Sequence, residues 1–457
     1  LVSFEFLLRQ VIRVLGQNND NATSNSVEPA PAWKWQLLGY GLFAWSTFVL
    51  VNGVRKVTPD LCVAAFVYLD AALLLRLRIE AKRYQTGILL GLALGFGYFA
   101  KAILFPMAFV FLAVTFFVVS GRRSKLLPLS LTLLIFLAIA SPLFVQISTR
   151  VGRPSFSESG SLNIAWQING EQMVPFHSSD PKTHLRHPMS LLYAHPDVFA
   201  FGAPAASTYP PWQDPWYWNV GADTTFNPQS QLREIRRDLS TFLVDPYLAP
   251  VWVMILGYCI LLLMSPGIPH RLRYVLKSWP LLVPGMAGLA SYTLVLVEAR
   301  YVGPFVVLVI LGFFPYILIQ NSVQPRRKHA IATAAVGGFM LMVASGMIAL
   351  HLIAPIPILR GHGGLHYQFA QSLDPDGLQP GQSVAIIGSG WDAMVWARLA
   401  RVRIVAQISP QDSNDFWRIS DPRAKQEVYD AFAKSGARAV VTEEQIPTTG
   451  FSDWQRV

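Results

Sequence analysis

An aspartate and a few basic residues at the ends of apolar runs are the groups in this chain best placed to do chemistry. Arg55-Lys56-Val57-Thr58-Pro59-Asp60 precedes one apolar stretch, Lys101 interrupts a second, and Glu298-Ala299-Arg300-Tyr301 separates two more. Pro59 suits a first helical turn, which puts Asp60 at a helix amino end, where the dipole favours an anion. That position reads equally as a plain cap or as a carboxylate facing a membrane surface. Arg55, Lys56, Lys101 and Arg300 would form a basic ring at one depth, suited to a phosphate or pyrophosphate headgroup. The plainer readings are a snorkelling Lys101, a weak Glu298–Arg300 surface pair, and attraction of ordinary anionic lipid.

The elements that must position these groups are apolar. Hydrophobic residues make up 52% of the 457 and charged residues 14%, well below the charged share of an average soluble domain. About nine stretches read as spans, at 35–54, 60–75, 85–100, 102–120, 126–147, 248–264, 279–297, 302–319 and 329–354. One helix over 85–120 would be about 54 Å long, too long for a core of roughly 30 Å. Two spans with a tight turn at Lys101, helped by Pro106, fit better. Arg76, Arg78, Lys82, Arg83, Arg122, Arg123, Lys125, Arg271, Arg273, Lys277, Arg326, Arg327 and Lys328 fall in alternate gaps, against Arg55, Lys56, Lys101 and Arg300 in the others. That asymmetry predicts the first set to be cytoplasmic and accounts for the net charge of +10 without nucleic acid. Cys62 and Cys259 lie in apolar runs, so no disulfide framework is expected.

The expected organisation is a cytoplasmic segment over 1–34, spans 1–5 over 35–147, an extracytoplasmic loop over 148–247, spans 6–9 over 248–354 and an extracytoplasmic domain over 355–457. Asp70, inside the second span, is a functional candidate by position; its nearness to Arg76 favours a structural pairing or a hydrated position. The loop carries Tyr209-Pro-Pro-Trp-Gln-Asp-Pro-Trp-Tyr-Trp-Asn219. Its rings suit sugar faces or a membrane interface, and its prolines imply a stiff, non-helical backbone. Ser161–Gly170 reads as a partly buried strand. His177, His184, His187 and His195 match no zinc spacing.

In the tail, strands over 383–388, 402–406 and 437–442 alternate with helices over 390–400 and 422–435, which predicts a small α/β domain with a parallel sheet. Gly388-Ser-Gly390-Trp-Asp-Ala393 fits a dinucleotide pattern, but Gln407 stands where the acidic residue belongs. A tight strand-to-helix turn is the favoured reading.

These residues resemble a family, the multi-spanning glycosyltransferases of the C-fold superfamily that use polyprenyl-phosphate sugars, such as protein O-mannosyltransferases and the enzyme adding aminoarabinose to lipid A. The resemblance rests on Val57-Thr-Pro-Asp60 opening a span, the Gly91–Lys101 run ending in lysine, Glu298-Ala-Arg-Tyr301 before a late span, and the order of loop and tail. It implies an α-helical polytopic protein of a bacterial inner membrane that transfers sugar, with inversion, to a lipid, glycan or protein acceptor. Asp60 would be a secondary carboxylate. The main catalytic acid would lie in a first outer loop preceding Leu1, with residues 1–16 as the cytoplasmic remnant after it. Arg55, Lys56, Lys101, Arg300 and Tyr301 would hold the donor phosphate, and Trp212, Asp214, Trp216, Trp218 and Glu298 the substrate. No cofactor is fixed, and a divalent metal stays open. The competing class is a polysaccharide transporter or flippase; an inactive scaffold is a third.

Overall fold

The computed structural model describes residues 1–16, 32–51, 58–79, 83–119, 126–170, 189–202, 208–209, 214–219, 224–245, 248, 252, 277–318, 326–353, 365–373 and 377–442. Among the described residues the chain is mostly helical with a small sheet, and it divides into two units. The first comprises residues 1–157 and 226–350, the second residues 158–225 and 351–457.

In the first unit the helices of the described residues are α1 (Val2–Gly16), α2 (Ala32–Trp45, continued by a wider turn to Leu50), α3 (Asp60–Ile79), α4 (Arg83–Ala100), α5 (Leu104–Val118), α6 (Leu126–Val151), α7 (Pro228–Val244), α8 (Trp279–Thr293), α9 (Ala299–Leu318) and α10 (Arg326–Ile353). The run over 85–120 is two helices, broken at Lys101. Pro106 helps the break: a helix running through would set its ring against the Ala102 carbonyl, whereas in the first turn of α5 no intrahelical bond needs its missing N–H. The expected span at 248–264 falls almost wholly outside the described residues. Residues 2–16 form a helix packed into the bundle. Phe4, Leu7, Leu8 and Val11 recur at helical spacing and are buried in the bundle core.

α4 and α6 pack at backbone contact. A Cβ on Gly91 would meet the Thr132 carbonyl at 2.7 Å, and one on Gly87 the Pro128 carbonyl at 2.7 Å. The Thr132 hydroxyl donates to the Gly87 carbonyl at 2.9 Å across this seam. Such small-residue stripes are how apolar helices approach closely without a hydrophobic driving force. Among the described residues, α6 alone is long and apolar enough to cross a membrane, with a mean hydropathy of 2.2 over a window only 22% buried. α5 and the segments Ala299–Phe313 and Ala334–Val343 are apolar but shorter. Large side chains such as Phe96, Phe99, Phe117 and Leu134 point outward.

The second unit is built on a five-stranded sheet of order β1-β2-β4-β3-β5, with β1 Met189–Tyr193, β2 Val198–Phe201, β3 Ser383–Ile387, β4 Arg403–Ile408 and β5 Ala439–Thr442. β3 pairs in parallel with β4 and β5, as the alternation in the tail predicts. The sheet is nonetheless mixed. β1 and β2, from the loop, form an antiparallel hairpin, and β2 adds antiparallel to β4 through Val198↔Ile408, Phe199↔Gln407 and Ala200↔Ala406. Helices α11 (Leu365–Ser372), α12 (Gly390–Leu399), α13 (Pro410–Arg418) and α14 (Pro422–Lys434) complete it. Alternate residues feed two cores. Val384, Ile386 and Ile404 pack with Trp396, whereas Ala385, Ile387 and Ile408 pack with Phe416 and Phe432.

Two local expectations are corrected. Ser161–Gly170 is not a strand: Ser159–Asn163 is helical and Ile164–Ile168 continues it in wider turns. Its buried residues Leu162, Ala165 and Ile168 recur every third position, the helical rather than the strand period. The stretch around Pro215 is not wholly non-helical either, because Pro215–Asn219 is a short helix with proline at its first position, where it is tolerated.

Candidate functional site

Three helix ends converge at one end of the bundle. Asp60 is the first residue of α3, Lys101 follows the last residue of α4, and Arg300 is the second residue of α9. Carboxylate and lysine each occupy the end whose dipole suits their charge, whereas Arg300 lies at an amino end that disfavours it. Glu298 compensates: the Arg300 Nε donates to its Oε2 at 2.5 Å. The Lys101 Nζ donates to Asp60 Oδ1 at 2.8 Å, and the Arg300 Nη1 lies 3.7 Å from Asp60 Oδ2. Asp60 therefore bridges two cations from different helices rather than simply capping its own.

Two tyrosines line this cluster. The Lys101 ammonium lies 3.4 Å from the Tyr301 ring centroid, within cation–π range. Arg300 Nη2 donates to the Tyr301 hydroxyl at 3.0 Å. Tyr292 stacks on Tyr301 with centroids 5.4 Å apart. The sequence reading misses Tyr292, whose only signal is an aromatic residue at the end of an apolar run.

Burial sets the electrostatics. The Asp60 side chain is 2% exposed, Lys101 24% and Arg300 22%. Burial pulls the Lys101 ammonium below the ordinary lysine range, opposed by the charge and hydrogen bond of Asp60. For Arg300 burial also works against the charge, but the Glu298 hydrogen bond and the surrounding negative charge outweigh it and hold the guanidinium higher than usual. Asp60 Oδ2, Thr58 Oγ1 and the Tyr292 hydroxyl are buried with no hydrogen-bond partner among the described residues. Lys101 spends one of its three donors on Asp60, and Arg300 Nη1 stands beyond hydrogen-bond reach of Asp60. The cluster thus holds matched charge, two cations and two carboxylates, with donors to spare for an anion.

Arg55, Lys56 and Trp212 lie outside the described residues, as do His177, His184 and His187 and the side chain of Trp216. Trp218 is not available to substrate: its ring is buried against Tyr209 and Tyr217 in the core of the second unit, because a helical turn after Pro215 turns it inward. Asp214 is half-buried in the same unit. Asp70 is buried and makes no ion pair with Arg76; its Oδ1 has no hydrogen-bond partner among the described residues. The Arg76 guanidinium instead lies over the Phe6 ring. Asp60 and Asp70 are about 15 Å apart along α3 at 1.5 Å per residue.

The glycine turn of the second unit is filled by protein. Gln407 Nε2 donates to the Gly388 carbonyl at 2.5 Å, and a Cβ on Gly390 would lie 2.7 Å from Gln407 Oε1. The glycines let a buried side chain close the strand-to-helix turn. Among the described residues no group of three or more histidine, cysteine, aspartate or glutamate side chains is arranged to hold a metal ion. No protein-family model, curated protein or solved structure matches the chain.

Proposed function

We propose that this chain is a polytopic membrane glycosyltransferase that takes sugar from a polyprenyl-phosphate donor and passes it to a hydroxyl acceptor at the outer membrane face. The observation that carries the reading is the convergence of Asp60, Lys101 and Arg300 from three separate helix ends. Nine spans in a bacterial inner membrane, with residues 148–247 and 355–457 outside, belong to the same proposal. The apolar helices and their outward-facing phenylalanines support it.

In the proposed reaction the acceptor oxygen attacks the anomeric carbon from the face opposite the phosphate. The sugar carbon–oxygen bond breaks, and the polyprenyl phosphate leaves with the electron pair. The acceptor proton passes to a carboxylate acting as general base. Lys101 and Arg300 stabilise the charge that builds on the departing phosphate, and Tyr301 holds both cations in place. Asp60 is not assigned as the base, because its two oxygens face Lys101 at 2.8 Å and Arg300 at 3.7 Å. It serves instead to preorganise Lys101 and Arg300. Arg55, Lys56 and Glu298 join the donor and substrate contacts.

The test is transfer of radiolabelled sugar from a polyprenyl-phosphate donor by the full-length protein in proteoliposomes. Turnover that is lost in Arg300→Ala and in Lys101→Ala supports the reading; normal turnover in both overturns the phosphate assignment. The second reading, a transporter of lipid-linked sugar, draws on Asp70, a buried carboxylate with an unpartnered oxygen inside an apolar helix. Flux of intact donor across the vesicle without transfer would favour it.

A further inference from the structure

α7 is built inside out for a helix on a water-soluble protein. Asn227 caps it, accepting from the Gln229 and Ser230 amides, and Pro228 opens it. The face turned to the protein is largely polar, with Phe242 packed on the bundle core. Gln231 Nε2 donates to the Leu294 carbonyl at 2.6 Å, the Val297 amide donates to the Asp238 carboxylate, and Glu234 is buried with Arg237 bridging it. The opposite face carries Leu232, Arg236, Leu239 and Leu243, spaced so that they form one stripe, with Arg233 and Val244 beside it. Leu239 is 53% and Leu243 61% exposed. Both acids of the helix are turned inward, so the outward face combines leucines with arginines and carries no acidic residue.

We propose that α7 is an interfacial helix whose outer face lies in the headgroup region of an anionic bilayer, with the leucines at the acyl boundary and Arg233 and Arg236 on lipid phosphates. This rests on the membrane reading given above and adds a lipid-binding surface to it. Leucine beside arginine, with both acids hidden, matches the chemistry of that boundary: an apolar face buried about 5–10 Å deep and a basic flank drawn to anionic lipid. Continuity with the bundle supports the same occupant. α7 docks on residues 294–297, immediately before Glu298 and Arg300, so a helix seated in the headgroups sets the depth of the segment that carries the phosphate-binding arginine.

The experiment uses the full chain with Cys62→Ser and Cys259→Ser, reconstituted in phosphatidylcholine–phosphatidylglycerol vesicles. Single cysteines from Leu239→Cys on α7 and Phe117→Cys on α5 are labelled with a fluorophore and quenched by nitroxide lipids or by aqueous iodide. The expected result is quenching at position 239 by headgroup-level nitroxide, stronger from labelled phosphatidylglycerol than from labelled phosphatidylcholine. Arg233→Gln with Arg236→Gln should reduce that preference by up to about fivefold per charge. Quenching at 239 by iodide alone, or by neither agent because protein covers it, overturns the proposal. Lipid quenching without any preference for phosphatidylglycerol overturns the role given to the arginines. Position 117 reports separately: its failure to quench with any lipid nitroxide, shallow or deep, would sink the membrane reading itself, whereas quenching there without lipid quenching at 239 sinks the interfacial helix alone.

Discussion

The Lys101 ammonium and the Asp60 carboxylate meet at 2.8 Å between the carboxyl end of α4 and the amino end of α3. Each group completes the other's charge in a place where water reaches little of either. Removing Asp60 leaves Lys101 largely buried without its carboxylate, and removing Lys101 leaves the buried Asp60 with only Arg300, 3.7 Å away; breaking a buried pair from one side is the costly case.

Lys101→Met and Asp60→Asn should therefore each destabilise the bundle by about 3 kcal/mol, the low end for buried pairs because Lys101 keeps some solvent contact. The double variant should lose clearly less than the sum. Denaturant unfolding in detergent checks this, and strict additivity would show that the pair is not coupled.

Arg300→Lys preserves the charge but not the planar fork that reaches Glu298, Tyr301 and Asp60 from separate nitrogens. Turnover of the polyprenyl-phosphate donor should drop by about 100-fold, in the range for losing one transition-state donor, with a smaller change in KM. A KM effect alone would mean that Arg300 only binds the donor.

The seam between α4 and α6 predicts a contrast between two glycines. Gly91→Leu would drive its side chain into the Thr132 backbone and should unfold the pair or cost at least about 3 kcal/mol, since backbone cannot yield as a side chain tip does. Gly338→Ala in α10 meets nothing within 4 Å and should be neutral or stabilising by about 0.4–1 kcal/mol. Thermal unfolding of the two variants separates packing from propensity.

The buried acids of α7 predict a pH effect. Burial raises the Asp238 carboxyl above its ordinary value of 3.8, opposed by the Val297 amide and Arg237, and burial likewise raises Glu234 above 4.5. In that window the folded state holds more protons than the unfolded one, so stability falls as pH rises from the ordinary values through the raised ones. Denaturant unfolding in detergent should show a higher midpoint on mild acidification through that window. Asp238→Asn, which keeps an acceptor for the Val297 amide, should flatten the profile.

Legibility followed the physics of each segment. Lys101 betrayed the break between α4 and α5 because a charge in so long an apolar run has few places to go, and β3, α12, β4, α14 and β5 were visible from alternating apolar period. Asp60, Lys101 and Arg300 could be shortlisted as polar groups at the ends of apolar runs, but Tyr292 could not, since an aromatic ring at the end of such a run carries no charge to set it apart from its apolar neighbours. Trp218 misled for the opposite reason: dense aromatic sequence does not say which rings turn inward. Ser161–Gly170 misled because a ten-residue run satisfies two periods at once. The β2–β4 pairing was out of reach, as nothing local to Val198–Phe201 names a partner in Arg403–Ile408.

That pairing has a consequence for how the molecule is made. The hairpin β1–β2 leaves the ribosome long before its partner, and residues 202–402 must follow before β4 exists. At 5–20 residues per second the interval is roughly 10–40 s. Throughout it β2 has no β4 to pair with, and a strand edge left open is the kind of surface that recruits the wrong strand. The second unit is thus completed late, after the helices of residues 226–350 have been synthesised, and a ribosome stalled among them would strand a half-built sheet.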